Sequence, residues 1–423
     1  MKKETIRYLK IAYAKSDSQS TSIINGRDRT GSSQIVKTRQ SAKSTEDIES
    51  TETTESTESI ESIESTESMK NTSGTTRTDS IKRTIDLPHH SGMTHGFGFL
   101  SGELLSEQLG VSRAAVWKTV KQLQQDGYQI ESRRNVGYRL LASPDKLYEW
   151  EVFGDSDVPV GKYCHFEELD STNLYARVLA QSEFANETVI VAESQTMGRG
   201  RLGRQWFSPK GKSIYISFLL KPDMVINDAV LLTLVAACST ARAIREVCAI
   251  APLIKWPNDV VIDGKKICGI LTEVSGEPEQ LASVIVGIGI NVNLDEDDFM
   301  PEVKETATSL KIVTGTEVCR KALTGALIRH FLADYRNFVD YRNVVQKPDS
   351  TAQGESFEDM MSFYRENCAN IGRRLYIMKN DEQIQAEGVD ITQEGHLVVR
   401  KDDGTLQEVI SGEVSIRGIY GYL

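Results

Sequence analysis

The stretch from Ser44 to Ser68 reads STEDIESTETTESTESIESIESTES and sets the first boundary on what this chain can fold into. It carries nine acidic residues and no basic one, with Glu55, Glu58, Glu61, Glu64 and Glu67 repeating every third position. Its flanks, about Lys15 to Lys43 and Met69 to Thr94, are rich in Ser, Thr, Gly and Arg. Such a composition cannot bury enough apolar surface to offset chain entropy, so residues 15–94 are expected to be disordered. Any folded unit must be assembled from residues 1–14 and from the chain beyond residue 94.

The same tract accounts for the charge. The formal net charge is −11, and removing the nine tract charges leaves −2, so acidity says little about the partners of the folded parts. A length of 423 residues leaves room for two or three domains. No apolar run approaches the roughly 18 residues of a membrane span; the longest, Ala229 to Cys238, reads as a buried helix. Lys10 interrupts the N-terminal apolar stretch, which argues against a secretory signal. The six cysteines are scattered without a C-x-x-C pair, a pattern of reduced thiols in a cytoplasmic protein rather than a disulfide framework or zinc site.

Before the tract, MKKETIRYLKIAYA places Ile6, Leu9 and Tyr13 on one helical face. One short helix is not stable alone, so its partner must lie beyond the insertion. From Phe99 the chain supplies one. Ser101 can cap a helix through Leu109, Gly110 makes a tight turn, and Ser112 caps a second helix to about Gln125. Two helices joined by a glycine turn match helix-turn-helix. The second helix offers Ser112, Arg113, Lys118 and Lys121 to DNA, and the hairpin YQIESRR…GYRLLA carries Arg133, Arg134 and Asn135 at its tip as a basic wing. The helix 1–14 completes a trihelical head with residues 95–147.

Residues 148–370 read as α+β, with strand-like runs VIVAES, SIYISFLL, VVIDG, CGILTEVS and SVIVGIGINVN and amphipathic helices near Asp228–Cys248 and Cys319–Tyr341. Residues 371–423 alternate in short runs between turn signals at Asn380-Asp381, Glu394-Gly395 and Asp403-Gly404, as in a small closed β domain.

Three stretches carry chemistry. GRGRLGR, Gly198 to Arg204, has the spacing of a dinucleotide fingerprint, but RQWFSPKGKS comes next, with Pro209 and Gly211 set against the helix that fingerprint needs. A Walker A loop also fails, because Trp206 stands where its first glycine is required. What remains is a flexible loop presenting Arg199, Arg201 and Arg204 to a polyanion, with Trp206 and Phe207 able to cover a ring. In IKWPNDV, Lys255 closes an apolar run before a turn. In VGIGINVN, Gly287 and Gly289 imply close approach by a ligand or another backbone.

Together with DSTN (Asp170 to Asn173), ESQTMGRGRLGRQWFSP and KKICGILTE, these stretches occur in the order found in biotin–protein ligases. With its head, the chain resembles the bacterial bifunctional class that combines ligase and biotin-operon repressor, over everything except about residues 15–94. The resemblance implies an α+β fold: a winged helix-turn-helix, a central ligase domain of the class II synthetase type, and a small Src-homology-3-like β-barrel. It implies that biotin's carboxylate attacks ATP to give biotinyl-5′-AMP, and that a lysine of a biotin carboxyl carrier domain then takes the biotinyl group. By motif position, biotin falls to Ser171, Thr172, Asn173, Gln195, Arg199, Gly200, Arg201 and Lys255. ATP falls to Arg201, Arg204, Trp206, Lys255 and Asn291. Lys255 is the residue expected to bridge the carboxylate and α-phosphate, with Arg199 and Arg201 as further catalytic cations. Mg²⁺ is expected on the phosphates, with no dedicated metal site. Operator DNA and a homodimer promoted by the adenylate follow from the same resemblance; no membrane partner does. A lipoate–protein ligase and a non-catalytic ligand-responsive repressor are the alternative readings. The insertion departs from the short connection expected in this class, yet relative to a short loop it adds only on the order of 1–2 kcal/mol of closure cost.

Overall fold

The computed structural model describes residues 1–10, 12, 98–154, 158–277, 280–345, 355–379, 382–411 and 415–418. The inserted tract expected over residues 15–94 lies outside the described residues, as do Tyr13 and the Asn380-Asp381 turn. The chain divides into two compact units, Met1–Val120 with Ile130–Leu140 and Lys121–Gln129 with Leu141–Leu423. The expected boundary at residue 370/371 falls inside the second.

The first unit contains helix α1 (residues 2–10), α2 (Gly102–Leu109), the start of α3 (Arg113–Gln125) and a hairpin of β1 (Gln129–Arg133) and β2 (Gly137–Ala142). Ile6 and Leu9 of α1 are buried, as are Leu104, Leu105, Val116 and Val120. The caps are those expected. Ser101 Oγ accepts from Leu104 N at 3.1 Å, Gly110 takes a left-handed φ of 63°, and Ser112 Oγ accepts from Ala115 N at 3.2 Å. Leu100 bridges Tyr138, and Asn135 turns the hairpin with a φ of 61°.

In the second unit come α4 (Glu149–Val152), β3 (Lys162–Phe166), α5 (Thr172–Leu179), β4 (Thr188–Ala192), β5 (Ser213–Leu220), α6 (Ile226–Ala229), α7 (Leu232–Cys248), β6 (Leu253–Lys255), β7 (Asp259–Ile262), β8 (Lys265–Glu277) and β9 (Gln280–Asn291). They are followed by α8 (Leu310–Thr314), α9 (Arg320–Val345) and α10 (Glu355–Glu366). Strands β3 to β9 form one seven-stranded sheet in the order β3-β4-β5-β9-β8-β7-β6. Only the β3–β4 pair is parallel.

Strand periodicity decides where the site can be. On β5, Ile214, Ile216, Phe218 and Leu220 enter the main core with residues of α7, α9 and α10. On β9, Val284, Val286, Ile288 and Ile290 do the same. The alternate positions, Tyr215, Ser217 and Leu219 on β5 and Ile285, Gly287, Gly289 and Asn291 on β9, therefore face the opposite side. There α5 covers one end, with Ala176 packed among Ile190, Leu219 and Ile285. The rest of that face is lined by glycines and polar groups.

The C-terminal strands are β10 (Arg374–Lys379), β11 (Glu382–Ile391), β12 (Leu397–Lys401), β13 (Leu406–Val409) and β14 (Ser415–Gly418), an antiparallel sheet ordered β13-β12-β11-β10-β14. Gly395 and Gly404 make the expected turns at φ of 80° and 83°. Trp256 ties this sheet to the strand end at Lys255, donating Nε1–H to Gly395 O at 2.9 Å while Asn370 Oδ1 accepts from its amide at 2.7 Å. Among the described residues, no helix is long and apolar enough to cross a membrane.

Candidate functional site

The GRGRLGR loop opens no helix of the length a dinucleotide fingerprint requires. Arg201–Gly203 form a single 3₁₀ turn, and the chain runs on through Gln205 to β5. The loop folds back on itself: Gly200 N donates to Arg204 O at 2.8 Å and Trp206 N to Gly198 O at 2.9 Å. Gly198 is required there, because a Cβ would lie 2.4 Å from Trp206 O and 2.6 Å from Ser208 Oγ.

Behind the loop, a narrow cavity of about 50 Å³ is lined by Ser171, Thr172, Asn173, Gln195, Arg199, Gly200 and Arg201. All the residues expected to contact biotin are thus brought together except Lys255. Their wiring is dense. Gln195 Oε1 accepts from Thr172 N at 2.9 Å, and Gln195 Nε2 donates to Ser208 Oγ at 3.0 Å. Ser217 Oγ lies 2.7 Å from Thr172 Oγ1 and donates to Asn173 Oδ1 at 2.6 Å. Asn173 Nδ2 in turn donates to Glu273 Oε2 at 2.8 Å and Leu271 O at 3.3 Å. Gly287 and Gly289 are closely approached, but by side chains rather than by the ligand or backbone expected: Asn173's amide lies against Gly287 and the Trp206 indole against Gly289 and its cross-strand partner Gly269.

A second cavity of about 650 Å³ adjoins the first. Arg201, Arg204, Trp206, Lys255 and Asn291, the residues expected around ATP, all line it. Leu294, Phe299, Met300 and Val303 give it an apolar wall. Asn291 holds the loop carrying that wall, since its Nδ2 donates to Thr308 O at 3.1 Å. The two cavities share Gly200, Arg201, Trp206, Asn258 and Lys266 in their linings.

Sequence reasoning gives Lys266 no role. Its ammonium pairs with Asp259 Oδ1 at 2.6 Å and lies 5.4 Å from the centre of the Trp206 ring. Lys255 is buried at the end of β6 and lines the larger cavity but not the narrow one. Asn258 is a second residue that the motifs leave without a role. It accepts from Arg201 Nη1 at 3.0 Å while donating to Ile270 O at 3.0 Å, and Arg201 further donates to Ser411 O in the turn after β13. Burial lowers the pKa of the Arg201 guanidinium; Asp259 opposes this and Arg204 adds to it. Arg201 is thus a half-buried cation with Arg204 and Asp259 near it, a setting in which an added anion is stabilised more than it would be in open water.

On the head, Arg113, Lys118 and Lys121 are exposed on α3 and Arg134 is exposed on the hairpin. Arg133 is partly committed within the fold. Its Nε donates to Glu131 Oε1 at 2.6 Å, and its guanidinium lies 4.8 Å from the centre of the Phe99 ring.

Residues 165–291 match the Biotin/lipoate A/B protein ligase family, residues 95–139 an HTH domain, and residues 371–417 the Biotin protein ligase C terminal domain. The bifunctional ligase/repressor BirA of Bacillus spizizenii is 34% identical over 323 residues, which cover 76% of this chain and 95% of that protein. The protein of the same description from Escherichia coli K12 is 29% identical over 325 residues, covering 75% and 93%. A solved structure, the biotin protein ligase from Aquifex aeolicus in complex with biotin and ATP, matches with a TM-score of 0.51 at 30% identity, over 61% of this chain and 99% of its own.

Proposed function

The chain belongs to the family of bifunctional biotin ligase/repressors, and from that premise we infer that it activates biotin with ATP and transfers it to a carrier lysine. In the first step a carboxylate oxygen of biotin attacks the α-phosphorus, pyrophosphate leaves, and biotinyl-5′-AMP forms. In the second, the amine of a lysine on a biotin carboxyl carrier domain attacks the acyl carbon, AMP leaves, and the amine gives up its proton. A carboxylate and a triphosphate repel each other, so the protein's task in the first step is positioning and charge neutralisation.

The observation that carries this reading is the pair of adjoining cavities with cations in their shared lining. The narrow one, walled by the hydroxyls and amides of Ser171, Thr172, Asn173 and Gln195, suits a ureido ring that both donates and accepts hydrogen bonds. The larger one has the apolar wall and arginines a nucleotide needs. Because Lys266 lines both, it takes the role of the cation between biotin's carboxylate and the α-phosphate, beside Arg201. Lys255, confined to the larger cavity, becomes a phosphate-side cation. Arg199 serves the carboxylate and Arg204 the phosphates, with Trp206 as the cover between them.

Mg²⁺ would arrive on ATP. Asp259 and Glu302 at the larger cavity are the carboxylates that would meet a cation carried mainly by the phosphates.

The head binds operator DNA in this reading. A palindromic operator requires two heads related by two-fold symmetry, so a chain with one head works as a homodimer. Segments ordered by the adenylate supply the surface through which it promotes pairing. The work takes place in the cytoplasm, where ATP and carrier domains meet. Incubating the protein with biotin, ATP and a carboxyl carrier domain tests the central reaction. Biotin on the carrier lysine is expected; lipoyl transfer instead would make it a lipoate ligase, and operator binding without any transfer would make it a non-catalytic repressor.

A further inference from the structure

Trp117 is the largest exposed apolar side chain on α3, with 56% of its surface accessible. The helix turns Val116, Thr119 and Val120 inward. Ser112, Arg113, Ala114, Trp117 and Lys118 remain outside. Arg113 and Trp117 are spaced i, i+4, and Ala114 and Trp117 i, i+3, so one face presents an apolar centre beside cations. The helix, RAAVWKTVKQLQQ, contains no carboxylate.

That combination is chemically selective. A merely solvated face gains nothing from an indole, which usually buries 150–250 Å² when it is used. The cations call for a polyanion. An acidic protein surface would satisfy them too, but the helix-turn-helix match over this segment favours duplex DNA as the polyanion. The major groove of duplex DNA supplies both, with phosphates along its edges and the C5-methyl of thymine as the apolar group on the base edge. Ser112 caps the helix one residue before Arg113, so the first turn is already held in place when this face meets its ligand.

We propose that Trp117 reads thymine methyl groups in the major groove and thereby sets the sequence preference of the head. This rests on the repressor reading. Arg113 and Lys118 hold the helix on the duplex, and the Trp117 indole, with the Ala114 methyl beside it, rewards a thymine where a cytosine or uracil offers no methyl.

The test uses the full chain with biotin and ATP. A preferred duplex is first enriched from a random pool by the unaltered protein, and its thymines are then replaced one at a time by uracil. That change deletes the methyl and leaves the pairing edge intact. At one or two thymines per half-site, affinity should fall about fourfold per methyl, the equivalent of one buried methylene. Trp117→Ala should bind the thymine duplex more weakly and be indifferent to those same replacements. Trp117→Phe, which keeps an apolar ring on the exposed face, should retain part of the methyl dependence. Equal uracil penalties in the unaltered protein and in Trp117→Ala would overturn the proposal, as would Trp117→Ala binding the thymine duplex at full strength. If the unaltered protein enriches no duplex at all, the repressor reading falls and this inference falls with it.

Discussion

Substituting alanine for Gly287 should damage biotin binding more than any other single-methyl change on the sheet. A Cβ there would lie 2.1 Å from Asn173 Oδ1, 2.8 Å from its Cγ and 3.0 Å from its Nδ2. The amide has nowhere simple to go, because Ser217, Glu273 and the Leu271 carbonyl hold it on three sides. Overpacking of this kind costs roughly 1–3 kcal/mol. Leaving one of the amide's buried hydrogen bonds unmade adds about 1–3 kcal/mol. Taking about 4 kcal/mol for the sum, at about 2 °C per kcal/mol for a unit of nearly 300 residues, the melting temperature should drop by about 8 °C. The functional effect arises because Asn173 and Thr172 share Ser217, so a displaced amide also moves the start of α5 at the narrow cavity. A misplacement near 1 Å is worth on the order of a hundredfold in rate. Biotin-dependent ATP–pyrophosphate exchange should therefore show a raised KM for biotin with the KM for ATP little changed. Asn173→Ala supplies the internal control. In that background the collision is gone, and the added cost of Gly287→Ala should nearly vanish. An unchanged cost in the Asn173→Ala background, or a neutral Gly287→Ala, would refute the reasoning.

Removing a cation placed for developing charge typically costs a hundredfold or more, so Lys266→Ala should nearly abolish exchange, and Lys255→Ala should act chiefly on the ATP dependence; the reverse pattern returns the bridging role to Lys255. Hydrogen exchange across Gly198–Gly211 should fall sharply when biotin and ATP are added, because clustered arginines gain their anion only then; equal protection in both states would contradict this. Burial alone would raise the pKa of Glu193, but the His165 hydrogen bond, the Arg320 charge and the Leu147 amide outweigh it and hold it at about 2. A carboxylate with a lowered folded pKa stabilises the fold above its ordinary range near 4.5 and loses that contribution as pH falls toward 2. Unfolding titrations should therefore show about 3 kcal/mol of acid-labile stability that Glu193→Gln lacks. Deleting residues 15–94 with a short linker should leave ligation intact and operator binding unchanged or stronger in gel shifts at fixed salt, since it removes an acidic tract.

Much of the site was legible because its signals are local. Ser101, Gly110 and Ser112 announce their caps through their own side chains and backbone, and the structure shows those caps. Gly287 and Gly289 are conspicuous inside an apolar strand, and each sits under a side chain of the site. Lys266 was not legible, and the reason is a bulge. Val260 pairs with Cys268 while Val261 pairs with Lys266, so Ile267 is the extra residue and both Ile267 and Cys268 enter the core. Strict alternation from Gly269 would have turned Lys266 away from the site; the extra residue turns it in. The apolar wall of the larger cavity was equally hidden. Phe299, Met300 and Val303 belong to an irregular loop with no period, held by the Asn291–Thr308 bond across 17 positions. Arg201's partner in the turn after β13, Ser411, lies 210 positions away, and no local pattern points to it.

The central claim is that the two adjoining cavities join biotin's carboxylate to the α-phosphate of ATP. The most direct measurement incubates the protein with biotin, ATP and Mg²⁺ without any carrier, removes free small molecules, and examines by mass spectrometry what stays bound. Biotinyl-5′-AMP at close to one per chain is expected, with none when lipoate replaces biotin. Retention of biotin and ATP as separate species, or of a lipoyl adenylate, would contradict the account.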